Sequence, residues 1–123
     1  MHNALMEKGL LLLDRSLIDD IKRVEQATGR NDVLSGFVRK LEGDLAGFGT
    51  AFSACIARGD TAAAIRSAHT LKGACRQLGA QALGDLFADI ERSAKAGDYA
   101  EVKRKLDSGA GLIAQSLEAL KHA

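Results

Sequence analysis

Apolar residues recur at intervals of three and four along most of this chain. That spacing places them on one face of an α-helix, because a helix turns once every 3.6 residues. The longest such stripe predicts a helix over residues 32–58 that buries one face in a core. Its members are Leu34, Phe37, Leu41, Leu45, Phe48, Phe52 and Cys55.

Glycines and short polar residues divide the rest of the chain into four more helices, predicted over residues 16–27, 61–78, 81–96 and 99–120. Glycine is typical just after a helix end, and Ser, Asp and Asn are typical just before a helix begins. The glycines that follow helix ends are Gly29, Gly59, Gly79 and Gly97. The capping candidates are Ser16 with Asp19, Asn31, Asp60, and Asp98 with Glu101.

These connections are only a few residues long, and short connections make successive helices lie antiparallel. The pattern therefore predicts an all-α fold, an antiparallel up-down four-helix bundle with a short additional N-terminal helix. In that first helix Leu17, Ile18, Ile21 and Val24 are predicted to face the core. Residues 1–13 are expected to form an irregular lead-in, and the 123 residues are expected to form a single domain.

Composition supports the helical prediction and narrows the function. The chain has no proline and 4% aromatic residues, and its formal net charge of +1 indicates no nucleic-acid-binding surface. The run Leu10–Leu13 is too short for a signal-peptide core or a membrane span, which predicts a soluble, cytoplasmic protein. Cys55 and Cys75 fall on apolar stripes and are expected to be core residues without metal-site spacing.

The helix predicted over residues 61–78 carries the only internal histidine, His69. Its buried stripe comprises Ile65, Ala68, Leu71, Cys75 and Leu78. His69, Lys72, Gly73 and Arg76 follow i, i+3, i+4 and i+7 on a different face. An exposed neutral imidazole is a nucleophile, and neighbouring cations would stabilise an incoming phosphoryl group. A glycine beside the histidine removes side-chain bulk where another molecule could approach.

The segment His69-Thr70-Leu71-Lys72-Gly73, followed by Leu78-Gly79-Ala80, resembles the signature of the histidine-containing phosphotransfer (HPt) domain family. The resemblance extends to the long second helix and to the pairs Leu13-Asp14, Gly59-Asp60, Ile90-Glu91 and Gly97-Asp98. It thus covers nearly the whole chain.

The resemblance implies a phosphocarrier of a multistep phosphorelay rather than an enzyme. Its expected partners are response-regulator receiver domains and a hybrid sensor histidine kinase, and it is expected to act as a monomer. By position, His69 would be the phosphoacceptor, Lys72 would stabilise the phosphoryl group, and Gly73 would admit the receiver. Glu91 would hold the second ring nitrogen of His69. No cofactor is expected on this chain, because the receiver would bring its own Mg²⁺.

Several assignments have alternatives. Glu91 would otherwise pair with Arg92 or Lys95, and Arg76 is assigned to docking from its helix face alone. Ile65 is either part of a small docking patch or core-edge packing. A competing function is a helical adaptor that binds an acidic partner through its basic face without phosphorylation. A metal or haem bundle is disfavoured, because it needs several inward-facing ligands.

Overall fold

The structure, a computed structural model, describes residues 12–123. Within these residues it consists of helices without strands, which confirms the predicted all-α fold. Residues 1–11 of the predicted lead-in lie outside the described residues. The helices are α1 (Arg15–Thr28), α2 (Val33–Ala57), α3 (Thr61–Gln77), α4 (Gln81–Lys95), α5 (Tyr99–Ser108) and α6 (Ala110–Lys121).

Successive helices pack side by side and close into a bundle. The contact between α3 and α4 is the most extensive, α2 packs on α3, and α5 packs on α4. The last helix, α6, contacts both α4 and α2, so α5 and α6 together complete the fourth side. The short α1 packs on α2. The largest fully buried side chains fill the middle, namely Phe87, Ile18, Leu41, Leu83, Ile90, Leu120 and Val102.

The prediction of one continuous helix over residues 99–120 is wrong. Two helices stand there, because α5 ends and α6 begins at Gly109. Gly109 is buried against α4 and has φ −88° and ψ 0°. A Cβ there would lie 2.7 Å from a methyl group of Leu86 and 2.8 Å from the carbonyl oxygen of Lys105. The helix is therefore interrupted where the missing side chain lets the backbone approach its neighbour.

Two predicted core positions are wrong. Phe37 is 50% exposed and Val24 is 54% exposed. The buried position after Leu34 is Val38, which is 4% exposed. Because residues three and four apart both follow a helical stripe, the spacing alone does not distinguish Phe37 from Val38. The packing of α2 on its neighbours decides between them.

Two predicted caps are also wrong. Asp14, rather than Ser16 with Asp19, caps α1 by accepting a hydrogen bond from the Ser16 amide at 3.0 Å. At the start of α2 the capping group is Glu25 of α1 rather than Asn31. Its Oε2 accepts hydrogen bonds from the amides of Val33 and Leu34, both at 2.9 Å. A side chain of the preceding helix thus satisfies two amide groups at the start of α2.

The turn between α3 and α4 fixes the two helices that carry the candidate site. Gly79 ends α3 at φ +77°, as the sequence predicts, and its carbonyl accepts a hydrogen bond from the Asp14 amide at 2.5 Å. Asp60 and Asp98 cap α3 and α5 by accepting amide hydrogen bonds, also as predicted. Across residues 12–123, none of the helices is both long and apolar enough to cross a membrane.

Candidate functional site

His69 lies in the middle of α3 and faces away from the core, with 66% of its side chain exposed. The opposite face of α3 is closely packed, and its buried residues are Ala64, Ala68, Leu71 and Cys75. The three small side chains among them allow α3 to lie close to its neighbours. The same periodicity that buries this face directs the imidazole outward.

Glu91 reaches His69 from the adjacent helix α4. Its carboxylate is buried, with 7% of the side chain exposed, and its Oε2 lies 3.1 Å from Nδ1 of the imidazole. An ionised carboxylate can only accept a hydrogen bond, so this contact assigns the ring proton to Nδ1. The lone pair of the neutral ring then lies on Nε2.

Two lysines contact the same carboxylate. Lys72 lies one turn after His69 on α3, and its Nζ is 2.7 Å from Glu91 Oε1. Lys95 lies one turn after Glu91 on α4, and its Nζ is 3.1 Å from Oε2. Lys72 is 22% exposed, whereas Lys95 is 60% exposed. The carboxylate, the two ammonium groups and the imidazole form one cluster, which we call the Glu91 cluster.

The cluster keeps Glu91 ionised. The hydrogen bond from Lys72 contributes most to lowering the pKa of Glu91, which falls to about 2, and Lys95 and His69 lower it further. Burial acts in the opposite direction, because a carboxylate away from water is harder to ionise. Glu91 is therefore an anion over the whole physiological pH range.

Gly73 leaves an open surface beside the cluster. Across the described chain, a Cβ built at Gly73 would meet no heavy atom within 4 Å. The next residue, Ala74, lines a groove of about 350 Å³ between α1, α2 and α3. The half-exposed Phe37 also lines this groove, together with Ile21, Leu41 and Leu78. Lys40, Asp44 and Gln77 complete its lining, so the residue after the glycine belongs to a partly apolar groove.

Arg76 and Ile65 make their contacts with other parts of the molecule. The Arg76 guanidinium is 3.3 Å from Asp85 of α4, and its aliphatic stem covers Gly84, where a Cβ would lie 2.7 Å from Arg76 Cγ. Arg76 therefore joins α3 to α4. Ile65 is partly buried and packs against the core. The structure brings together His69, Lys72 and Glu91 and places Arg76 in a separate ion pair.

Sequence reasoning treated Lys95 only as an alternative partner of Glu91. In the structure Glu91 contacts His69 and Lys95 at the same time. Its two carboxylate oxygens accept hydrogen bonds from His69, Lys72 and Lys95 together. The i, i+4 spacing of Glu91 and Lys95 is the signal that pointed to this residue. Arg92, the other alternative, pairs with Asp89.

Neither cysteine belongs to the site. Cys75 is fully buried on the core face of α3, and burial raises the pKa of its thiol to about 12. Cys55 is buried on α2. Among residues 12–123 there is also no group of three or more His, Cys, Asp or Glu side chains arranged to hold a metal ion.

One comparison with known proteins identifies a family. The family model of the Hpt domain matches residues 32–123, which include α2 to α6 and every residue of the Glu91 cluster. Neither the comparison with curated proteins nor the comparison with solved structures returned a match. Hpt domains are phosphocarriers that take part in phosphorelays and interact with response regulators. The chain belongs to the Hpt domain family.

Proposed function

We propose that this protein carries a phosphoryl group on His69 between the aspartates of response-regulator receiver domains. One observation carries the proposal: an exposed imidazole is held through Nδ1 by a buried, ionised carboxylate. A surface histidine without such a partner would alternate between tautomers. Here one tautomer is favoured, and its free nitrogen is the nucleophile.

The transfer reaction follows from this arrangement. The Nε2 lone pair attacks the phosphorus of a receiver phosphoaspartate, so a P–N bond forms. The P–O bond to the aspartate breaks, and its electron pair remains on the released carboxylate. The Nδ1 proton stays in place, because Glu91 accepts its hydrogen bond and stabilises the positive charge that develops on the ring.

Lys72 is proposed to stabilise the phosphoryl group. It lies one turn from His69 on the same helix, and its ammonium group is already in the cluster. Phosphoryl transfer is accelerated mainly by positioning and by electrostatic stabilisation of the phosphoryl oxygens. The Mg²⁺ that assists the reaction is proposed to be bound by the receiver, so that this chain needs no cofactor of its own.

The receiver is proposed to dock over Gly73 and the partly apolar groove that Ala74 lines. The space in front of Gly73 would allow a receiver to approach closely, and the apolar lining that includes Phe37 would favour burial on docking. A hybrid sensor kinase would supply one such receiver. We propose that the protein acts in the cytoplasm as a monomer, so that each copy presents His69 and Gly73 to a receiver.

The competing adaptor function requires a basic face that attracts an acidic partner. The ion pairs of the structure weaken that function, because Lys72 and Lys95 contact Glu91 and Arg76 contacts Asp85. Much of the positive charge is thus compensated within the chain. Phosphotransfer uses the same groups without needing an uncompensated basic surface.

The test compares His69→Gln with His122→Gln after incubation with phosphorylated receiver domains of the source organism. His122 is a suitable control, because it is also exposed and paired with a glutamate, Glu118, although it lies at a helix end. We expect wild type and His122→Gln to acquire acid-labile label and His69→Gln to acquire none, while all three have the same circular dichroism spectrum. Label on His69→Gln would overturn the assignment.

A further inference from the structure

The Glu91 cluster contains one more cation than its carboxylate needs. Lys72 occupies Oε1, while Lys95 shares Oε2 with the imidazole Nδ1. A buried carboxylate that loses all its cationic partners is strongly destabilised, but one well-placed partner compensates its charge. Either lysine can therefore leave while the other remains.

The two lysines differ in how freely they could leave the carboxylate. Lys95 is on α4, four residues after Glu91, so its contact is made within a single helix and does not depend on events at α3. Lys72 is on α3, three residues after His69, so it is attached to the same helix as the phosphoacceptor. Because residues three apart on a helix are neighbours, the Lys72 side chain is within reach of a phosphoryl group attached to His69.

We propose that Lys95 is a positioning residue that retains Glu91 when Lys72 transfers from the carboxylate to the phosphoryl oxygens. This inference rests on the proposed phosphorylation of His69. In the resting protein both ammonium groups contact Glu91. During transfer Lys72 rotates towards the phosphoryl group, and Lys95 keeps a positive charge against the buried carboxylate, which in turn keeps the Nδ1 proton in place.

Loss of the Lys95 charge would act through Lys72. With Lys95 absent, Lys72 would be the remaining lysine on the buried carboxylate, and its departure would become costly. It would then stay on Glu91 and contribute less to phosphoryl transfer. A charge-assisted hydrogen bond of this kind changes a rate by about tenfold or more when it is lost from the transition state.

The experiment measures the rate at which phosphoramidate phosphorylates His69, followed by phosphorus NMR, so that no receiver is required. The Nε2 lone pair forms the new P–N bond, and the P–N bond of zwitterionic phosphoramidate breaks to release ammonia. We expect Lys95→Met to react about tenfold more slowly than wild type, by the loss of Lys72 stabilisation. Lys95→Arg should restore the rate, because arginine retains the charge.

Two double variants separate this positioning role from other roles. In a Lys72→Ala background, Lys95→Met should have no further effect, because the group through which it acts is gone. In a Glu91→Gln background it should also have no effect, because no buried charge remains to be held. Lys103→Met is the matched control, since Lys103 is also exposed and pairs with an acidic residue four positions away, Asp107. It should react like wild type.

The possible outcomes distinguish the two proposals. A wild-type rate for Lys95→Met, in a protein that is phosphorylated on His69, would overturn the role of Lys95 and leave the proposed function standing. Multiplicative slowing in the Lys72→Ala background would also overturn it, because Lys95 would then act on the phosphoryl group directly. A folded wild-type protein that phosphoramidate does not label on His69 would overturn both proposals.

Discussion

At the scale of single residues, His69 differs from another exposed histidine, His122, in the glutamate that it contacts. His122 is also exposed and contacts a glutamate, but that glutamate is a solvent-exposed residue of the same helix. Glu91 reaches His69 from a different helix and is buried. Its position is therefore fixed by the packing of α4, and this packing orients the imidazole.

Gly73 provides a residue-scale prediction. Gly73→Gln should not lower the free energy of unfolding and should raise it by up to about 1 kcal/mol, because glycine is a poor helix former and open space lies before it. The same side chain should weaken binding to the receiver that exchanges phosphoryl groups with wild type, by about tenfold. Urea denaturation and a binding titration measure the two effects.

The control for that substitution is Gly111→Gln. Gly111 is an exposed helical glycine on α6, and within the described residues an added Cβ there would likewise meet no heavy atom within 4 Å. It should bind the receiver as wild type does. If Gly73→Gln and Gly111→Gln bound the receiver equally well, the docking role of Gly73 would be refuted.

At the scale of elements, the α3–α4 hairpin is the part that sets the distance between His69 and Glu91. Gly79 forms its turn, and the backbone of Asp14 lies directly against that glycine. Gly97 forms the turn between α4 and α5 with a similar φ of +73°, but no residue among 12–123 would lie within 4 Å of a Cβ added there. The two turns share a backbone conformation and differ in what packs on them.

This difference predicts unequal effects of the same substitution. Both Gly79→Ala and Gly97→Ala should lower the free energy of unfolding by about 1 kcal/mol, because an L residue is strained at positive φ. Gly79→Ala should lower it further, since its Cβ would lie 2.5 Å from the Asp14 carbonyl oxygen. Urea denaturation of the two variants measures the difference, and equal losses would contradict a closely docked Asp14 backbone.

The elements were predicted best where local backbone chemistry decides them. Gly29, Gly59, Gly79 and Gly97 all adopt positive φ, so the helix ends could be read from these residues. The interruption at Gly109 could not, because it lies where the backbone packs closely against Leu86 of another helix. In the same way the cap of α2 comes from Glu25, which lies beyond the reach of local capping rules.

In the candidate site, too, features within one helix could be predicted, and features that depend on the packing of two helices could not. The helical spacing of His69, Lys72 and Gly73 could be derived from the sequence, since all three lie on one helix. The contact between Glu91 and His69 joins two helices and was expected only through the family resemblance. The simultaneous binding of Lys72 and Lys95 depends on the rotation of α4 relative to α3, which periodicity does not specify.

At the scale of the whole molecule, the Glu91 cluster links the candidate site to the stability of the bundle. The carboxylate lies between α3 and α4, and its partners come from both helices. The interactions that hold His69 in position thus also hold two helices together. Acid should weaken the site and the bundle at the same time.

The pH dependence of stability tests this link. The pKa of Glu91 is about 2 in the folded protein, below its usual value of 4.5, chiefly through the hydrogen bond from Lys72. Its contribution to stability is therefore fully present above about pH 4.5 and is lost as the pH falls towards 2. We expect the unfolding free energy of Glu91→Gln to decrease less than that of wild type across this interval, as measured by urea denaturation.

The control is Glu118→Gln, which removes an exposed carboxylate near the end of α6. It should lose stability in acid to the same extent as wild type. A Glu91→Gln variant with the same acid dependence as wild type would show that the carboxylate does not stabilise the bundle through its ionised form.

The hydrogen bond between Asp14 and Gly79 has a practical consequence for tethering experiments. It holds Asp14, the residue just before α1, against Gly79, which follows His69 by ten residues in the sequence. At 1.5 Å per residue this contact lies about 15 Å from the histidine along the helix axis. A receiver domain fused ahead of Leu12 through a short flexible linker would therefore be at high effective concentration near His69. Such a fusion would convert a weak, transient encounter into an intramolecular one suited to structure determination.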